Sequence, residues 1–162
     1  MIAVVAFGNP LRGDDGVAWR VAQEVERAGD AAVVLTLHQL TPEVAVVVSQ
    51  TTGVIFLDAA QGPVPGQVSS RELAPIATQS TFTHHISPEA VLALSLRLYG
   101  NCPRAALVTV AAASFAVGEE LSQAARHAVP EAVRTVQQLI RTWSLANMPE
   151  GTTLSPARIP NA

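Results

Sequence analysis

Apolar residues along the chain fall into two patterns. Residues 2–7 (IAVVAF), 32–37 (AVVLTL), 53–58 (GVIFLD) and 104–112 (RAALVTVAA) are short, nearly unbroken apolar runs rich in β-branched side chains, as expected of buried strands. Between the first two, Val17, Val21, Ala22 and Val25 recur at helical spacing with Glu24, Glu26 and Arg27 turned outward, until Gly29-Asp30 stops them. Thr41-Pro42-Glu43 and Ser87-Pro88-Glu89 each offer a capping residue, a proline at the first helical position and an early acid. They predict two further helices, the second running through VLALSLRLY to Gly100. Residues 67–72 alternate after the turn QGPVPG and predict an exposed edge strand. A short helix near 119–127 and another from Pro130 to about Leu145 complete the pattern.

Strands alternating with helices define the fold class: a three-layer αβα sandwich around a mostly parallel five-stranded sheet, with one edge strand antiparallel. Residues 1–146 form one domain; 147–162, rich in turn formers, are expected to be a flexible tail. If the first strand pairs with both the second and the third, the chain reverses direction between its first and third strands, and the crevice at their carboxyl ends is the expected ligand site. Asp14, Asp15 and Asp58 all lie at that rim.

The 162 residues are 49% hydrophobic and 14% charged, which points to a packed globule and not a disordered chain. All ten basic residues are Arg, and with 13 acids the net charge is −3, so no basic field exists to hold a nucleic-acid backbone. The most apolar stretch, 105–117, is well short of the roughly 20 residues of a bilayer span. The start leads directly into an apolar strand without a basic leader, so the expected location is the cytoplasm. The single cysteine, Cys102, has no neighbouring His or cation to activate it and is read as structural.

Three sequence features carry candidate chemistry. Gly8-Asn9-Pro10-Leu11-Arg12-Gly13-Asp14-Asp15-Gly16 has two glycines at the spacing of a phosphate loop, but Asp14-Asp15 replaces the Lys and Ser/Thr that would meet phosphate. The acids suggest a cation or a hydrogen-bonding task; the plainer alternative is that one of them caps the following helix. Asp58 ends the third strand, where it either initiates a turn or faces a ligand. His84-His85 sits in a loop that must return to the same sheet. Carboxylates and an imidazole from separate loops form a ligand group suited to an open or transient metal site. No G-x-S-x-G elbow and no H-E-x-x-H occur, and the isolated His38 and His127 are assigned structural or surface roles.

These segments, GNPLRGDDGV, VIFLDA, THHISPEAVLAL and SFAVGEELSQAARHAVPEAV, resemble the [NiFe]-hydrogenase maturation proteases over residues 2–145. That family removes a C-terminal extension from the hydrogenase large subunit after nickel insertion. The resemblance implies that Asp15, Asp58 and His84 occupy the three nickel-contacting positions, His84 being preferred to His85 for its offset to the LAL of the following helix. It further implies nickel carried by the substrate, no permanently bound metal, a monomer, and the nickel-loaded large-subunit precursor as partner. Some family members have Glu at the position of Asp15. The acidic or amide residue followed by Pro that often comes after the fifth strand is replaced here by VTVAAA. Two other classes remain open: a non-catalytic metal-sensing chaperone of the large subunit, and a small nucleotide-binding module.

Overall fold

A computed structural model describes residues 1–30, 32–76 and 86–146. Five strands, β1 (Ile2–Phe7), β2 (Ala32–Leu37), β3 (Gly53–Ala60), β4 (Val68–Leu73) and β5 (Arg104–Ala111), form one sheet in the order β2-β1-β3-β5-β4. All neighbours are parallel except β4 and β5, which pair antiparallel. The expected fold class is therefore the observed one. β1 lies between β2 and β3, with Val4 opposite both Val34 and Ile55, so the expected reversal occurs at β1. The predicted tail, 147–162, lies outside the described residues.

Among the described residues four helices, α1 (Val17–Arg27), α2 (Val44–Ser49), α3 (Pro88–Tyr99) and α4 (Gln123–Ala146), cover the sheet. Because successive strand residues face opposite sides, the strands supply two cores. Val4, Ile55, Leu57, Val108 and their neighbours pack against α1 and α4. On the other face, Val5, Val54 and Phe56 pack against α2 and α3. α3 follows its sequence signals closely: the Ser87 hydroxyl accepts from the Ala90 N–H at 3.2 Å, and Gly100 closes the helix at φ +71°. α2 is shorter than its cap signal suggests, because Thr41–Glu43 form a tight turn whose carbonyls accept from Val44, Ala45 and Val46.

The C-terminal region differs from expectation. In place of two helices, α4 runs unbroken for 24 residues with Pro130 inside it. A proline there removes one helix hydrogen bond at a cost of about 3 kcal/mol. The continuous stripe Ala125, Ala128, Val129, Ala132, Val136, Ile140 and Trp143 buries against the sheet and α1, and that burial offsets the loss. No helix among the described residues is long and apolar enough to cross a membrane.

Candidate active site: two carboxylates at the carboxyl edge of the sheet

The loop after β1 is shaped by its own backbone. Gly8 has φ +141°, and a Cβ there would run into the Asp15 carbonyl oxygen, so only glycine allows the chain to fold back at this point. The Asn9 side chain accepts from the Leu11 N–H at 2.9 Å, and the Asn9 carbonyl accepts from Arg12 at 3.0 Å. A single 3-10 turn, Gly13–Gly16, then leads into α1.

All the N–H groups of this loop have protein acceptors. Gly8 donates to Leu37, Asn9 to Asp15, Leu11 to Asn9, Arg12 to Asn9, Gly13 to Gly118, Asp14 to Ser114 and Asp15 to Arg12. A phosphate cradle needs those donors free, so the loop does not form one. The alternative that one of the acids caps α1 also fails, since α1 has no side-chain cap.

Asp14 and Asp15 point to different places. Asp14 is 1% exposed. Its carboxylate accepts from the Ala113 and Ser122 N–H groups at 2.7 Å, the Ser122 hydroxyl at 2.8 Å and the Ser114 N–H at 3.3 Å. Burial alone would push its pKa up, but the bonds from Ser122, Ala113 and Ser114 outweigh it and hold the carboxyl below its ordinary value. Asp15 turns instead to a cavity of about 550 Å³ whose walls include Asn9, Arg12, His38, Asp58 and Ile86. One of its oxygens accepts from the Asn9 N–H at 2.7 Å.

Asp58 reaches the same cavity from β3. It does not end the strand as expected: β3 continues to Ala60, and Asp58 pairs in register with Thr109 of β5. Burial raises its pKa to about 7; the Ala59 N–H opposes the rise and the negative charge of Asp15 adds to it. The carboxyl is thus divided between its protonated and ionised forms near neutrality.

Of the three site residues read from the sequence, Asp15 and Asp58 meet at one cavity, and His84 lies outside the described residues. Among the described residues no group of three or more His, Cys, Asp or Glu side chains is close enough to hold a metal ion. The cavity wall also includes residues to which the sequence reading gave no part in the site. His38, assigned a structural or surface role, follows β2 directly and so stands at the same sheet edge. Its ring lies edge-on to Trp19 with centroids 5.3 Å apart, while the Trp19 indole N–H donates to the Leu37 carbonyl at 3.1 Å. Arg12 supplies a cation on the same wall. The signal for both is positional: Arg12 falls within a few residues of the carboxyl end of the central strand β1, and His38 directly follows its neighbour, the edge strand β2. Cys102 is half-buried, and burial pushes its thiol pKa up, consistent with a structural role.

No family model and no curated protein matches the sequence. Solved structures do match its fold. The chain is similar to the hydrogenase maturating endopeptidase HybD from E. coli, with a TM-score of 0.69 and 22% identity over 87% of this chain and 92% of that one. It is also similar to a [NiFe] hydrogenase maturation protease, HycI, from Thermococcus kodakarensis, at TM-score 0.67 and 19% identity, covering 86% and 92%. A hydrogenase 2 maturation peptidase from a Thaumarchaeota archaeon gives 0.65 and 22%, covering 86% and 97%. These likenesses establish a shared fold along nearly the whole of each chain.

Proposed function

We propose that this chain is a [NiFe]-hydrogenase maturation protease: an endopeptidase that removes the C-terminal extension of a hydrogenase large-subunit precursor once nickel has been inserted. The observation that carries the reading is the convergence of Asp15 and Asp58 on one cavity at the strand reversal. The fold shared with structures named as hydrogenase maturation proteases supports it, as does the resemblance of GNPLRGDDGV, VIFLDA and THHISPEAVLAL to segments of that family. Ile86, two residues along the chain from His84, lines the same cavity, which is the reason for keeping His84 as the third member of the set. Within this reading the protein acts in the cytoplasm as a monomer, and nickel arrives as the substrate's cargo.

The chemistry follows from the two carboxylates. Oxygen and imidazole donors suit a divalent ion held partly by another polypeptide, with Asp15 fixed in place by the Asn9 N–H. A Lewis acid brought beside the scissile carbonyl polarises that bond for attack by water. Asp58 accepts the proton of the attacking water in its ionised form. It then returns that proton to the departing amine nitrogen, so the peptide C–N bond breaks to give a carboxylic acid and an amine, which ionise to carboxylate and ammonium. Requiring the ion makes cleavage conditional on nickel insertion.

The test mixes the purified chain with precursor prepared with and without nickel and follows loss of the C-terminal peptide by intact mass. Shortening of the nickel-loaded form alone is expected, and equal shortening of both would overturn nickel gating. Binding of the precursor with no shortened product would favour the non-catalytic chaperone.

A further inference from the structure

Asp14 takes no part in the chemistry proposed above, yet it receives more hydrogen bonds than any other described carboxylate for which bonds are given. Its partners lie 99 to 108 residues away in sequence and belong to two different segments. Ala113 and Ser114 open the loop that leaves β5. Ser122 stands at the start of α4, where its hydroxyl also accepts from the Ala125 N–H at 3.1 Å. The same loop bonds to the acid-bearing turn through its backbone: Gly13 N–H to Gly118 O at 2.7 Å, Asp14 N–H to Ser114 O at 3.1 Å and Gly118 N–H to Leu11 O at 2.9 Å.

A four-residue 3-10 turn has few internal bonds to fix its own orientation. Here the turn is oriented from outside, by those backbone bonds and by one buried carboxylate that joins it both to the β5–α4 loop and to the residue that opens α4. Asp15 is the next residue of that turn, and its side chain reaches the cavity from the other side. We propose that Asp14 is a positioning residue for Asp15: its bonds to Ala113, Ser114 and Ser122 hold the turn so that the Asp15 carboxylate meets the Asn9 N–H and faces Asp58. The inference rests on the functional reading above, which makes Asp15 part of the reacting site.

Asp14→Asn is the sharp test because it keeps the shape. Both carboxylate oxygens accept from backbone N–H groups, so either orientation of an amide sets its NH2 against another donor. Amide hydrogen exchange at Asn9 reports the placement of Asp15; exchange at Ala113, Ser114 and Ser122 reports the direct bonds. In Asp14→Asn, Asn9 should exchange about tenfold faster, and kcat for precursor processing should fall about a hundredfold with KM within about threefold of wild type. Ser122→Ala removes one of the four bonds to Asp14, together with the cap at Ala125, and should move both readouts in the same direction by about two- to threefold.

Loss of protection confined to Ala113, Ser114 and Ser122, with Asn9 exchange and kcat unchanged, would show that Asp14 holds the loop alone and would overturn the proposal. If Asp14→Asn does not fold, unchanged Asn9 exchange and kcat in Ser122→Ala overturns it equally. A wild-type chain that leaves the precursor intact would defeat the functional reading, while exchange at Asn9 would still decide whether Asp14 governs the placement of Asp15.

Discussion

Asp14 and Asp15 are adjacent in sequence, chemically identical and placed in the same turn, yet they serve opposite ends. The protein supplies Asp14 with four hydrogen bonds and almost no exposure. To Asp15 it gives one N–H and an open cavity shared with Asp58. A saturated carboxylate has nothing left to offer a ligand and is a structural anchor. Two undersaturated ones, close enough for one to raise the other's pKa, keep lone pairs and a proton for a substrate. Counting donors around each acid therefore separates scaffold from site where residue type cannot.

The largest expected effect falls on the cavity side. Asp15→Ala and Asp58→Ala should each lower precursor processing by about a thousandfold or more while leaving the far-UV circular dichroism unchanged. Processing at wild-type rate in both would place the chemistry elsewhere.

On the anchor side the expected loss is in stability. Asp14→Asn should cost about 3 kcal/mol of unfolding free energy at pH 7, measured by urea denaturation, because buried donors lose their acceptor. The two acids also carry opposite pH signatures. Asp14 has its pKa lowered on folding, so its contribution is present above the ordinary carboxyl value of 3.8 and is lost as pH falls through its folded value. Asp58 has its pKa raised from 3.8 to about 7, so its contribution is full below 3.8 and is lost as pH rises to 7. Asp58→Asn should accordingly stabilise the protein by about 4 kcal/mol at pH 8 relative to its effect at pH 4. Denaturation curves at the two pH values check this; an equal effect at both would contradict the raised pKa. The smallest effect is that of Ser122→Ala, about 1 kcal/mol, since one hydroxyl bond to Asp14 and the cap at Ala125 are removed together.

The same contrast shows what could be read from the sequence. β1, β3 and β5 are legible because strands buried on both faces must be continuous apolar runs, and α3 because Ser87, Pro88 and Gly100 mark its ends by local chemistry. The convergence of Asp15 and Asp58 was legible once the sheet order was inferred, since both lie near carboxyl ends of adjacent strands. The role of Asp14 was not, because its partners come from residues 113–122 and no local pattern announces a contact across a hundred residues. Nor was the continuity of α4 through Pro130: propensity there gives way to the buried stripe from Ala125 to Trp143. In the sequence His38 is an isolated imidazole, and its place on the cavity wall depends on where β2 ends relative to β1.

The central claim is that the two carboxylates facing the cavity cleave a nickel-bearing precursor. The most direct measurement is intact mass of one nickel-loaded large-subunit precursor after incubation with wild-type chain and, separately, with Asp58→Asn. The account predicts loss of a C-terminal peptide with the first and an unchanged mass with the second. Equal shortening by both, or by neither, would contradict it.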